Sequence, residues 1–345
     1  MNKLILAVLL GCVACGGGGG SVSIDDYPDH LRDAFCNYLV KCGESKDLDT
    51  CRTGHLGLDF SVGASERAAF DGKVATFDGV AAQACTDALG ARDCDLTSQS
   101  NRVIPEACLG IAIGTVHDGA ACAQDVECIS QVCDVPACSM ACCKGTCIGD
   151  AAPAFAKAGE ACDSGLCDAT SYCDEVATTC MPLKQSGDSC ESSDECNYGF
   201  DCLPAGTCGT LPGPGESCTG ACRDFGTTCS TASKTCVKVG LVGDACASSA
   251  DCSQLYTCDA TKHCGAGLAL GAACSRSQLC AGAGAFCDVP DIQAMGTCVL
   301  PKADGTTCSA NTDCQSEVCD HSTGTGGTGM CVADTVCLAT SATPG

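Results

Sequence analysis

Forty cysteines in 345 residues set the chemical options of this chain. Their sulfurs can serve as disulfides, metal thiolates, nucleophiles or points of lipid attachment, and spacing decides among these uses. The run from Gly243 through Cys246 to Cys264 reads G-x-x-C-x5-C-x5-C-D-x4-C, and variants recur seven times between Gly119 and Cys331. Structural zinc sites favour C-x2-C knuckles, which the modules lack. The nearest approaches are Cys138-x3-Cys142, Cys143-x3-Cys147 and Cys218-x3-Cys222. The five histidines (His30, His55, His117, His263, His321) are scattered singly, so neither a metal nor a cofactor is expected.

A nucleophilic thiol is not expected where nearly every cysteine is committed to a bridge. No G-x-S-x-G elbow, H-E-x-x-H pair or P-loop occurs. Gly324-Thr325-Gly326-Gly327-Thr328-Gly329 matches G-x-G-x-x-G, but no strand precedes it and no helix follows, so it is rejected as a nucleotide site. No catalytic residue is assigned, and the chain reads as a non-enzyme.

The elements that must hold these cysteines are the repeats themselves. The first cysteines of the modules are Cys122, Cys162, Cys190, Cys218, Cys246, Cys274 and Cys308; the central four intervals are 28 residues, the outer ones 40 and 34. A fixed period marks a repeat array. Glycine stands three residues before every first cysteine (Gly119, Gly159, Gly187, Gly215, Gly243, Gly271, Gly305), which predicts a positive φ there. Aspartate follows five of the seven third cysteines (Asp134, Asp174, Asp259, Asp288, Asp320), which predicts Asx-type turns.

A 28-residue unit with two or three apolar side chains cannot offset an ordering entropy of roughly 1.5 kcal/mol per residue, so covalent bonds must hold it. Two disulfides per module, each closing a loop of about 12 residues, supply on the order of 3 kcal/mol apiece in the chain-entropy model. Three pairings are open within a module. First-to-third with second-to-fourth is the one expected. The second to sixth modules use Cys162, Cys167, Cys173 and Cys180; Cys190, Cys196, Cys202 and Cys208; Cys218, Cys222, Cys229 and Cys236; Cys246, Cys252, Cys258 and Cys264; and Cys274, Cys280, Cys287 and Cys298. The first carries Cys122, Cys128, Cys133 and Cys147 with an insertion holding Cys138, Cys142 and Cys143. The seventh is followed by one further cysteine, Cys337. These four extras are even in number, so complete oxidation is arithmetically open.

More than one residue in nine is cysteine, which places the chain among disulfide scaffolds that persist outside the reducing cytosol. With no tryptophan, eight phenylalanines and five tyrosines, no large conventional core is expected beyond the N-terminal region. The net charge of −24 argues against a nucleic-acid partner, whose phosphates demand clustered Lys and Arg. It permits a basic partner or loosely held calcium, although no calcium-loop spacing occurs, and it keeps a thinly cored surface soluble.

At the N-terminus Met1-Asn2-Lys3 precedes the apolar run Leu4 to Leu10, too short to span a bilayer and matching a secretory signal over 1–15. Leu9-Leu10-Gly11-Cys12 resembles the lipobox of bacterial lipoproteins and favours Cys12 as the acylated residue; cysteine parity and the longer apolar run favour Cys15. The five glycines Gly16 to Gly20 form a flexible tether over 16–23. Residues 24–115 read as a small α-helical, disulfide-bonded domain with up to three bridges among Cys36, Cys42, Cys51, Cys85, Cys94 and Cys108. Tyr27, Leu31, Phe35 and Leu39 predict an amphipathic helix stopped by Gly43. Further helices are expected at Val80 to Leu89 before Gly90, Thr50 to Leu56 and Ala64 to Phe70. Then follow modules at 116–150, 151–182, 183–210, 211–238, 239–266, 267–300 and 301–337, with a tail over 338–345. The fold class is small disulfide-rich modules in tandem, with little regular structure and short β-hairpins.

The module spacing, the glycine lead and the Cys-Asp third position resemble the Dickkopf N-terminal cysteine-rich repeats. The segments Asp71-Gly72-Lys73-Val74, Phe77 to Cys85 and Gly114-Thr115-Val116 resemble a group of cysteine-rich lipoproteins of social, predatory Gram-negative bacteria. The resemblance implies architecture and outer-membrane placement, without supplying a site. Leu203 and Ser230 replace the aspartate in modules three and four, and the first module carries its insertion, so Dickkopf-like receptor binding does not carry over.

The expected partners are a lipid bilayer, through the N-terminal acyl anchor, and a protein or glycan ligand. The first expectation is a surface-anchored binding protein whose modules project as an array. Tyr172, Tyr198, Phe225, Tyr256 and Phe286 lie between the second and third cysteines, or directly before the third, of modules two to six, and are candidate ligand-facing rings. The same rings can pack over cystines. A ligand-free stalk or envelope scaffold is the alternative, and a protease inhibitor, by analogy with trypsin-inhibitor-like modules, the second.

Overall fold

A computed structural model describes residues 20–53, 60–136, 143–162, 166–230, 232–265, 267–275, 280, 285–289, 295–316, 318–320, 329–333 and 336–338. Cys12, Cys15, Cys138 and Cys142 lie outside the described residues.

The first part of the chain is helical. α1 (Tyr27–Cys42) opens with proline in its first turn and ends on Gly43, whose φ of 81° lets its N–H return to the carbonyls of Leu39 and Val40. It buries Ala34, Cys36, Tyr38 and Leu39. α2 (Leu48–Thr53) and α3 (Ala64–Asp71) follow, then β1 (Ala75–Phe77). α4 (Gly79–Gly90) is capped by Asp78, whose Oδ1 accepts from the N–H of Val80 and Ala81 at 2.9 and 3.0 Å. Gly90 is the last residue of the helix, with Ala91 as its C-cap. It lies against Ala34, where a β-carbon would stand 3.4 Å from the Ala34 carbonyl oxygen, an ordinary van der Waals distance. After α5 (Gln99–Arg102) and α6 (Glu106–Leu109), β2 (Ala112–Gly114) pairs antiparallel with β1, Thr76 facing Ile113. Three disulfides staple these short elements: Cys36–Cys51, Cys42–Cys94 and Cys85–Cys108.

Small antiparallel sheets follow. In every module the third and fourth cysteines face each other across two strands, as Cys173 faces Cys180 and Cys258 faces Cys264. They are not bonded to one another. Instead the bridges run first-to-third and second-to-fourth, for example Cys246–Cys258 and Cys252–Cys264, so that each sheet is tied to both preceding turns. Modules one, six and seven add a third strand at the first cysteine (Ala121–Cys122, Ala273–Cys274, Thr307–Cys308). The buried apolar side chains of each of these modules are chiefly its own cystines. The architecture is therefore a helical N-terminal part followed by tandem disulfide-rich modules. Cystines of this density belong to chains folded outside the reducing cytosol, and no helix among the described residues is long and apolar enough to cross a membrane.

One expectation is corrected. The first, third, fourth and fifth modules do not project from the helical part but pack against it. Leu39, Cys36 and Cys51 share one buried cluster with Cys246, Cys252, Leu255 and Tyr256 of the fifth module. Phe225 and Leu96 exchange backbone bonds with the other side, Phe225 N–H to Cys94 O at 2.6 Å and Leu96 N–H to Arg223 O at 2.9 Å. Arg102 donates to the Cys196 carbonyl at 2.9 Å and pairs with Asp201 at 3.7 Å, which docks the third module. The physical reason is burial: helices this short leave apolar faces that the modules, poor in apolar side chains of their own, cover.

Candidate functional site

Three backbone devices recur in the frames of the modules. The lead glycine has φ between 74° and 90° in all seven modules, in open space, and its N–H reaches the fourth cysteine's carbonyl at 2.7 to 2.9 Å. The residue three before that glycine pairs in parallel with the second cysteine in six modules, at Val116, Ala156, Lys184, Gly240, Leu268 and Lys302. The fourth module has Pro212 there, which has no N–H, and only the accepting half survives, Arg223 N–H to Pro212 O at 2.9 Å. The third device is an acid directly before the second cysteine. Glu127, Glu195, Asp251 and Asp313 each accept from backbone N–H groups three or four residues earlier, as Asp251 does from Ala247 and Ser248 at 2.8 and 2.9 Å. Those two bonds, Ser248's first, hold the Asp251 carboxyl below the usual carboxylate range. Sequence reasoning passed over this position, although D-C or E-C at the second cysteine is visible in the four modules.

Aspartate after the third cysteine serves two uses. Asp174 and Asp259 close Asx-type turns, accepting from Val176 N–H at 2.9 Å and from Thr261 N–H at 2.8 Å. Asp288 instead takes a salt bridge from Lys302 at 2.9 Å.

The five candidate rings do not form a common exposed face. Tyr256 is buried in the cluster shared with α1. Phe225 stacks on Tyr38, with centroids 5.1 Å apart. Tyr198 is half-buried and donates its hydroxyl to Ala169 O of the preceding module at 2.6 Å. Tyr172 and Phe286 are half-buried beneath lysines of the following module, Lys184 and Lys302, each with Nζ 5.6 Å from the ring centroid. Lys184 also bonds Glu195, and that hydrogen bond raises the ammonium above its ordinary value. All five rings thus make contacts within the chain, and each joins separate units.

Several modules bring three cysteine sulfurs within 4.8 Å of one another, among them Cys122, Cys128 and Cys133. These triples are the crossing of two disulfides, and a sulfur already bonded to sulfur has no thiolate to offer a metal.

One surface feature that can receive another molecule was not signalled by the cysteine pattern. A groove of about 520 Å³ lies between the helical part and the first two modules, lined mainly by Leu109, Ile113, Ile129, Pro153 and Phe155, together with Glu106. Ile113 is 48% exposed. Gln131 also lines it, but its side-chain amide donates to Ala112 O at 2.5 Å and Leu109 O at 3.4 Å, which fixes the wall. Among the described residues, no lysine, arginine or histidine lines the groove. Only the assembled chain makes this surface, because its residues come from α6, β2 and the first and second modules.

No protein-family model, no curated protein and no solved structure matches this chain.

Proposed function

We propose that this is a non-catalytic, lipid-anchored binding protein of the bacterial envelope, displayed at the outer membrane, whose ligand is a protein segment combining an apolar side chain with basic neighbours. The groove between α6, β2 and the second module carries this reading. Its apolar walls suit a side chain such as leucine. The acidic lining residue Glu106 and the net charge of −24 favour a cationic flank. A glycan suits it less, because sugars need several free hydrogen-bonding groups and the Gln131 amide is already engaged. The lipobox-like Leu9-Leu10-Gly11-Cys12, with Cys12 or Cys15 as the acylated residue, supports the anchor, and the Dickkopf-like spacing supports a display module.

The test is a binding survey with the intact chain on arrays of basic-apolar peptides and of glycans, repeated with Ile113→Glu. Peptide binding that weakens with salt and falls roughly tenfold to a hundredfold in the variant is expected, the loss of one buried aliphatic contact. Glycan-only binding, or peptide binding indifferent to Ile113→Glu, overturns it. Protease shaving of intact cells carrying a C-terminal tag tests display: tag loss is expected, and protection until the outer membrane is broken overturns it.

A second reading, an envelope scaffold, is favoured by the packing of the modules around the helical part, which consumes the aromatic positions internally. Absence of any peptide or glycan binding in the same survey selects it.

A further inference from the structure

The segment after the seventh module returns to the start of the array. The Cys337 N–H donates to Ser65 Oγ at 3.2 Å. Its carbonyl accepts from Gln124 Nε2 at 2.9 Å, and the same Nε2 donates to Ser65 O at 3.0 Å. Leu338 reaches Gly72, its Cδ1 3.5 Å from where a β-carbon would stand. Ser65 lies in α3 and Gly72 ends it, while Gln124 lies two residues past the first cysteine of the first module. The last described residues therefore bind both the helical part and the first module, 213 positions back along the chain.

Seventeen described bridges account for every described cysteine except Cys143 and Cys337. Both of these are themselves disulfide-bonded. Neither belongs to the four-cysteine pattern, and they stand at opposite ends of the array.

We propose that Cys337 closes a covalent clasp: its disulfide runs to the surplus cysteine group of the first module, the group to which Cys143 belongs, and fastens the array head to tail around the helical part. The backbone bonds to Ser65 and Gln124 hold the segment at the first module, and the bridge makes that docking permanent. A cross-link spanning the whole array restrains the unfolded chain more than any module bridge, because loop-closure entropy grows with the logarithm of loop length. The clasp is independent of the groove reading, since neither Cys337 nor Gln124 lines the groove.

Peptide mapping of the oxidised, thiol-blocked full chain by mass spectrometry tests the bond. A Cys337 peptide linked to a peptide from the first module's surplus group is the expected result. Cys337 found as a free thiol, linked to the N-terminal cysteines or linked to a second chain overturns the proposal. Hydrogen exchange tests the consequence in two variants, Cys337→Ser and a chain ending at Val336. Exchange across Ala64–Asp71 and at Gln124 rises roughly tenfold or more in both while the fifth module is unchanged. Unchanged exchange in both variants overturns the fastening role.

Discussion

Tyr38 of α1 and Phe225 of the fourth module stack with ring centroids 5.1 Å apart and planes inclined by 19°, 187 residues apart in the chain. The contact joins the helical part to the array and sits beside the backbone bond from Phe225 N–H to Cys94 O. A half-buried ring lost from such a contact costs about 2 kcal/mol, below the 3 to 5 of a fully buried phenylalanine. Phe225→Ala is therefore expected to leave the fourth module's cystines intact and to speed proteolysis at the junction around residues 92–98. A protease pattern unchanged from the parent would show that the stack contributes little.

The lead glycines and the hairpin lysines make opposite predictions from the same backbone region. Gly243 has φ of 90° with open space around it, so Gly243→Ala meets no neighbour and its cost is conformational, about 1 to 2 kcal/mol. Lys262 occupies φ of 63° in the fifth module's hairpin. Lys262→Gly removes that strain, partly offset by a more flexible unfolded chain, for a net gain below about 1 kcal/mol. Chemical denaturation with bridges intact should move the midpoint down in the first variant and up in the second; movement in the same direction refutes the backbone account.

These effects show what was legible in the sequence. The glycine lead marks a turn in all seven modules and the third-position aspartate closes one at Asp174 and Asp259, because φ and side-chain acceptors are local properties that a repeat displays again and again. The fold class followed from the cysteine period and the lack of apolar residues. What stayed hidden is non-local. Nothing in the spacing says that Tyr38 meets Phe225, that Arg102 reaches the Cys196 carbonyl, or that Ile113 and Phe155 wall one groove. The rings of Tyr172 and Phe286 recur in the pattern, and recurrence alone cannot separate a ligand-facing ring from one covered by the next module's lysine. The acids before the second cysteines were legible and overlooked, because their partners are backbone N–H groups that leave no mark in composition.

Acid sensitivity follows from those carboxylates. Asp251 has its folded pKa lowered by the N–H groups of Ser248 and Ala247, so its stabilisation is complete above the unfolded value near 3.9 and is lost as pH falls through the folded value. Amide exchange in the fifth module is expected to be flat from pH 7 to about 4, after correction for intrinsic rates, and to rise below that. Asp251→Asn keeps an acceptor oxygen but loses its charge, costs about 1 kcal/mol at pH 7 as charge-assisted bonds become neutral ones, and removes most of the acid-dependent rise. A variant as acid-sensitive as the parent would assign the effect to other carboxylates.

The two bridges of one module close similar loops but should differ in what their loss releases. Cys246–Cys258 and Cys252–Cys264 each span 12 residues, so the chain-entropy term is about 3 kcal/mol for either. Yet the Gly240 backbone pairs with Cys252, and Ser253 Oγ donates to Glu44 O at 2.6 Å, so the second bridge also anchors the contact with the helical part. Replacing Cys252 and Cys264 together by serine should loosen both the fifth module and the Glu44 region in hydrogen exchange. Replacing Cys246 and Cys258 should loosen the fifth module's first turn and leave Glu44 protected. Equal loss of protection at Glu44 in the two double variants would mean that the module unfolds as one unit, and that the shared cluster of Leu39, Leu255 and Tyr256 depends on both cystines.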